Sequence, residues 1–194
     1  MGWKSPQLRH TLRSMPILNH RPSSEPPLVE AVDDRNRPLL VLPLPEVHRQ
    51  FLNHRAVAVL VYDQDNRLFL QKRGLRRTLY PGRWDVSTSG HVHAGESAQG
   101  AAMRRLWTDL RLRPERIRHV RDIPASPETG HEFITIFAVP RATQLEPTPN
   151  RVASGFFHAR EEVSCLVREF RELLAPGLVL LWERNIPFSS WEQP

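Results

Sequence analysis

The stretch from Gly90 to Leu112 gathers the residues with the most chemistry to offer. Gly90 opens a short loop that runs past His91 to Gly95 and Glu96. Seven residues later Arg104-Arg105 is followed by Asp109. Ala98, Ala101, Ala102, Met103, Leu106 and Leu110 recur at helical spacing, which predicts a helix over 97–110 with one core face. On that helix Arg105 and Asp109 stand at an i,i+4 spacing, which reads as a plain surface ion pair. Upstream, Lys72, Arg73, Arg76 and Arg77 form a basic run. Guanidinium groups suit bidentate contact with phosphate oxygens, and the plain alternative is a solvated basic loop. Trp84 could stack a base or an alkenyl group, or simply fill core at a strand start. Nine histidines are scattered along the chain, and by type alone they are surface or loop side chains.

Ordinary elements must position these groups. Leu28–Val32 and Leu39–Leu44 flank an Asp33-Asp34-Arg35-Asn36 turn and read as a short hairpin. A stronger hairpin pairs the apolar run 56–62 with the segment around Leu68-Phe69-Leu70, across the turn 63–66. A glycine- and proline-punctuated loop runs from Tyr80 to Gly95. Further strands are expected at 117–123, 133–139 and 152–158, and helices at 160–174 and 178–184, broken by Pro176-Gly177. Strands mixed with a few helices, without regular βαβ alternation, predict an α+β mixed sheet sandwiched between helices.

The pattern Gly90, five residues, Glu96, seven residues, Arg104, then Leu106 and Leu112 resembles the Nudix box. Three glutamates of that signature are replaced here by Arg105, Thr108 and Asp109. His54-Arg55-Ala56-Val57, Gln71-Lys72-Arg73 and Tyr80-Pro81-Gly82-Arg83-Trp84-Asp85-Val86-Ser87 resemble the superfamily branch that holds isopentenyl-diphosphate isomerase. The likeness covers roughly 28–184 and implies the Nudix fold. It implies that Gly90, Glu96 and Arg104 are structural, with Glu96 and Arg104 forming an internal salt bridge. It implies that Arg73 and Arg77, with Lys72 beside them, grip a diphosphate and that Trp84 lines the pocket.

The resemblance also implies metal chemistry. The box glutamates ordinarily hold Mg²⁺ through hard oxygen ligands. With an arginine among them that site is expected to be impaired. The isomerase-like branch holds a divalent ion with histidines and glutamates from distant segments, which correspond here to His54, His91 and Glu132, with His48 near a third histidine after a small gap in register. Such a set suits Zn²⁺ or Mn²⁺. The isomerase's catalytic cysteine, glutamate and tryptophan correspond to Ser89, Gly130 and Gly177, so isomerisation is not expected.

The expected activity is therefore hydrolysis of a small diphosphate, such as a nucleoside diphosphate derivative. The divalent cofactor would be Mg²⁺, Mn²⁺ or Zn²⁺, and Asp109 or Glu132 would support the metal or activate water. The alternative is a ligand-binding domain without catalysis. Nucleic-acid binding ranks last: the net charge of +6 comes almost wholly from arginines spread along the chain, with lysine only at Lys4 and Lys72. No apolar run approaches the roughly 20 residues of a membrane span. Cys165 is the sole cysteine, which excludes an internal disulfide framework and fits a reducing compartment such as the cytoplasm. A homodimer is compatible with this reading. Residues 1–27, with no acidic residue before Glu25 and several prolines, read as a disordered basic tail, leaving 28–194 as the folded domain.

Overall fold

The structure, a computed structural model, describes residues 25–142 and 144–188, so the expected tail lies outside the described residues except for 25–27. Strands β1 (Leu28–Val32) and β2 (Pro38–Pro43) form the first hairpin. Its turn is closed by Asp33, whose carboxylate accepts the backbone N–H groups of Arg35 and Arg37. The chain then enters α1 (Leu44–Arg49), β3 (His54–Val61), β4 (Leu68–Arg73), β5 (Trp84–Asp85) and β6 (Thr88–His91). It continues through α2 (Ala98–Leu110), β7 (Arg118–Ile123), β8 (Glu132–Val139), β9 (Val152–His158), α3 (Arg160–Glu169) and α4 (Pro176–Glu183).

Two sheets result. One runs β2-β1-β3-β8-β7 with β6 also on β3, and the other runs β5-β4-β9. Strands β3 and β8 are parallel and every other pair is antiparallel, which is the mixed α+β sheet expected. Side-chain alternation along β3 divides the core in two. Val57, Val59 and Val61 pack toward Ala101, Ala102, Leu106 and Leu110 of α2. Ala58 and Leu60 pack the other way, toward Val163 and Val167 of α3 and Leu178, Val179 and Leu181 of α4. Covering both faces explains why 56–62 reads as an unbroken apolar run rather than an alternating one.

Helix α2 begins where the apolar periodicity does. Ser97 caps it by accepting the N–H of Gly100, and Arg111 ends it in the left-handed region at φ 54°. Four features differ from expectation. The run 56–62 and the segment around Leu68-Phe69-Leu70 do not pair as a hairpin: β3 and β4 belong to different sheets and are joined only by the Tyr62–Leu68 bridge. The punctuated stretch 80–95 contains β5 and β6, strands too short to show a periodicity of their own. Leu44, expected to close β2, instead starts α1, whose single apolar anchor is the buried Val47. Pro176 does not break a helix but opens one, because its missing N–H costs nothing in the first turn.

Strand β9 reaches β4 only because position 155 has no side chain. A Cβ on Gly155 would lie 2.2 Å from Cζ of Phe69, which is buried and set edge-on to Phe157. Gly155→Ala is expected to destabilise the domain by about 1–3 kcal/mol through overpacking. The midpoint of urea unfolding measures it, and an unchanged midpoint would contradict this packing.

Candidate functional site

Register places the first cluster. His54 opens β3 and Glu132 opens β8, and parallel pairing sets the two side by side. His91 closes β6 opposite Ala56, so its side chain leaves the same sheet face as those of His54 and Glu132. Helix α1 adds His48. The three imidazole centroids lie 5.0–5.3 Å apart. His91 Nε2 is 3.0 Å from Glu132 Oε1, and His54 Nε2 is 3.7 Å from it. One ligand atom from each of His48, His54, His91 and Glu132 falls within 4.8 Å of the others.

The electrostatics suit a cation. His54 is 1% exposed, and its Nδ1 lies 2.9 Å from the carbonyl of Leu52, which can only accept, so the ring proton sits there. That leaves Nε2 as a buried lone pair without a hydrogen-bond partner. Burial would raise the Glu132 carboxyl; when no ion is bound and the His54 and His91 rings are protonated, their hydrogen bonds and charge outweigh it and hold it at about 2. Burial and the charges of His91 and His54 lower His48 against the pull of Glu132, favouring its neutral, ligating form. Bonds of about 2.0–2.2 Å bring donor atoms to roughly 4 Å across an ion, so this set fits Zn²⁺ or Mn²⁺ with small adjustment.

The second cluster lies across β6. Thr88 and Gly90 face α2, whereas Ser89 and His91 face the other way. Glu96 and Arg104 form a bidentate pair with both contacts at 2.8 Å. Glu96 also accepts the His93 N–H, and Arg104 donates to the His91 carbonyl, so this bridge pins the strand that carries His91. One turn along, Arg105 and Asp109 are joined, but not on the surface as expected. They are 5% and 1% exposed. Arg105 fits because position 90 is glycine: a Cβ there would lie 2.7 Å from Arg105 Nε. Burial, opposed by Asp109, pushes Arg105 down to about 9, so it remains charged at neutral pH. Thr88 Oγ1 donates to Asp109 Oδ2 at 2.6 Å, and Arg151 Nε donates to Oδ1 at 2.7 Å. Asp109 is therefore committed to three donors and is not among the residues gathered around the histidines. Trp107 turns outward and lies against Arg111 and Arg113, rather than covering this cluster.

Alternation also divides the basic run. Arg73 is buried, tied to Asp85 at 2.6 Å and to the Leu79 carbonyl. It is thus a fixed strut of the α2 side rather than a free phosphate ligand. Arg77 is half-buried beside it, and burial with the charges of Arg73 and Arg151 lowers its proton affinity against Asp109 and Asp85. Lys72 pairs with Trp84 and Ser154 and so points to the opposite face. Trp84 packs there against Phe156 and His158, with its carbonyl holding the Ala175 N–H. Sequence reasoning missed Arg151 and Thr88, which no motif marks, and gave Asp85 no role although it lies within a quoted motif; each acts through a partner 12 or more residues away.

Removing the shared acid should expose the value of the second cluster. Asp109→Ala leaves two guanidinium groups without their anion and is expected to cost about 3–5 kcal/mol. Chemical denaturation measures this, and a loss below about 1 kcal/mol would contradict a buried network.

A family model described as the NUDIX domain matches residues 52–176. An isopentenyl-diphosphate Delta-isomerase of Rhodobacter capsulatus is 30% identical over 147 residues, covering 72% of this chain and 83% of that one. An uncharacterized Nudix hydrolase of Pseudomonas aeruginosa is 35% identical over 101 residues, 52% of this chain and 60% of its own length. The alignments with that protein and with the Streptomyces griseus isomerase span about three fifths of those relatives. Among solved structures, a Deinococcus radiodurans protein matches with TM-score 0.71 and 21% identity, over 84% of this chain and 99% of that one. The NUDIX domain of Shewanella oneidensis NrtR, complexed with ADP ribose, matches with TM-score 0.51 and 14% identity, over 67% and 84%. These two show likeness of fold.

Proposed function

The chain belongs to the NUDIX domain family, and from that premise we propose that it hydrolyses a small diphosphate, such as a nucleoside diphosphate derivative, with a divalent ion held by His48, His54, His91 and Glu132. The observation that carries the reading is the buried, unpartnered Nε2 of His54 within that cluster. A bound Zn²⁺ or Mn²⁺ would supply Lewis acidity toward a phosphoryl oxygen. Arg73 and Arg77, expected to grip the diphosphate, lie instead on the α2 side of the sheet, the face away from the histidines, so they would not hold the phosphate that this ion polarises. Lys72 and Trp84, on the α4 side of the sheet, would meet the rest of the ligand. An open cleft of about 640 Å³ on that side is lined by Arg83, Glu128, Leu174, Pro176 and Val179. Its mixed charge suits a polar substituent better than an isoprenoid tail. Ser89, Gly130 and Gly177 supply none of the three reacting side chains an isomerase of this type would need.

The second reading, binding without turnover, is favoured by one observation: the only carboxylate left at the box-glutamate positions, Asp109, is fully committed to internal partners. Both readings leave nucleic acid aside, and among the described residues no helix is long and apolar enough to cross a membrane.

Hydrolysis of a panel of nucleoside diphosphate derivatives with Mg²⁺, Mn²⁺ or Zn²⁺ separates the two. Turnover that needs metal and disappears in His54→Ala is expected; a metal-loaded protein with no turnover of any substrate leaves the binding reading. Metal affinity should hold near neutral pH and weaken as pH falls through and below the ordinary imidazole range near ~6.5, since ligating histidines must be neutral. The lowered His48 delays that loss to more acid pH. Titration calorimetry at pH 7.5 and 5.5 reads it, with at least about a tenfold weaker Kd expected at the lower pH.

A further inference from the structure

The NUDIX family implies a divalent ion on the helix that follows the box loop, and the residues of this chain do not fit one there. Magnesium needs oxygen ligands with free lone pairs in near-octahedral array. The only carboxylate α2 offers to the site is Asp109, which is 1% exposed and already accepts from Thr88, Arg105 and Arg151. Its nearest neighbours are cations rather than acids. Arg105 is held over Gly90, with its Nε buried and unpartnered, and Arg151 reaches in from the start of the β9 segment.

We propose that Arg151, together with Arg105, takes the place of a metal ion at Asp109, so that this site excludes divalent cations and offers fixed guanidinium charge to a phosphate instead. Four guanidinium groups, Arg73, Arg77, Arg105 and Arg151, interact here with two carboxylates, Asp85 and Asp109. The positive excess resides on Arg77 and Arg151, the two that are not fully buried. Arg151 is the determinant because its side chain is 40% exposed and faces both solvent and Asp109 Oδ1. An ion approaching Asp109 meets its charge first. A phosphate dianion approaching the same place meets two donors whose desolvation is already partly complete. The exclusion of metal at Asp109 does not depend on the histidine reading; a total of one ion per chain does.

Manganese titrations of the full chain, read by calorimetry and by electron paramagnetic resonance, with and without inorganic diphosphate, test this. The wild type is expected to take one Mn²⁺ per chain in both conditions, lost in His54→Ala. Arg151→Glu, at a side chain exposed enough to be tolerated, is expected to admit a second Mn²⁺ in the presence of diphosphate. Diphosphate binding in excess chelator is expected to persist in the wild type and to weaken at least about tenfold in Arg151→Gln. A second Mn²⁺ in the wild type would overturn the proposal, as would Arg151→Glu that folds but gains none. Diphosphate binding abolished by chelator would overturn its phosphate half. Absence of any Mn²⁺ in the wild type would remove the histidine reading and leave the exclusion at Asp109 standing.

Discussion

Parallel pairing of β3 with β8, in register from His54 opposite Glu132 to Val61 opposite Val139, is the constraint from which the rest of the molecule follows. Strands in parallel pairing usually lie where helices cover both faces of the sheet. Here α2 covers one face and α3 with α4 the other. The same register brings a histidine and a glutamate, 78 positions apart in the chain, to one sheet end. A slip of one residue would reverse both faces and part the pair. Core packing and site assembly are thus one requirement.

Strand β6 adds a second consequence of alternation. Three of its four residues serve two chemistries: Thr88 and Gly90 support the charge network under α2, while His91 joins the imidazole cluster on the other face. The Glu96–Arg104 bridge couples them, because the guanidinium that secures the box loop also holds the His91 carbonyl. A change at the start of α2 therefore reaches the histidines through the backbone of β6 rather than through a shared ligand.

The two clusters handle buried charge in opposite ways. Around His54, three imidazoles and one carboxylate leave a lone pair directed inward, an arrangement that gains most from a cation. Around Asp109, internal guanidinium groups already supply the positive charge, and hydrogen bonds from Thr88 and Arg151 occupy the carboxylate. Burying ions is costly unless they are paired and hydrogen-bonded, and the Asp109 network meets that condition with side chains alone.

Sequence by itself determined the periodic and local features. The α2 helix, the strands at β3, β7, β8 and β9, the mixed α+β class and the family resemblance all follow from spacing and short motifs that act within a few residues. The resemblance also named the four residues that gather here, including His48, which α1, a helix that periodicity did not reveal, carries. Tertiary structure alone decided burial and partnership. Arg105 and Asp109 have the spacing of a surface pair, and only the approach of β6, with glycine at position 90, makes them a buried one. Arg73 and Lys72 are neighbours in the chain, yet strand alternation sends them to opposite faces. Arg151 carries no local signal, because its role exists only where the β9 segment returns to the end of α2, 42 residues on. Local pattern fixes which groups the chain possesses; long-range pairing fixes which of them meet, and whether water remains between them.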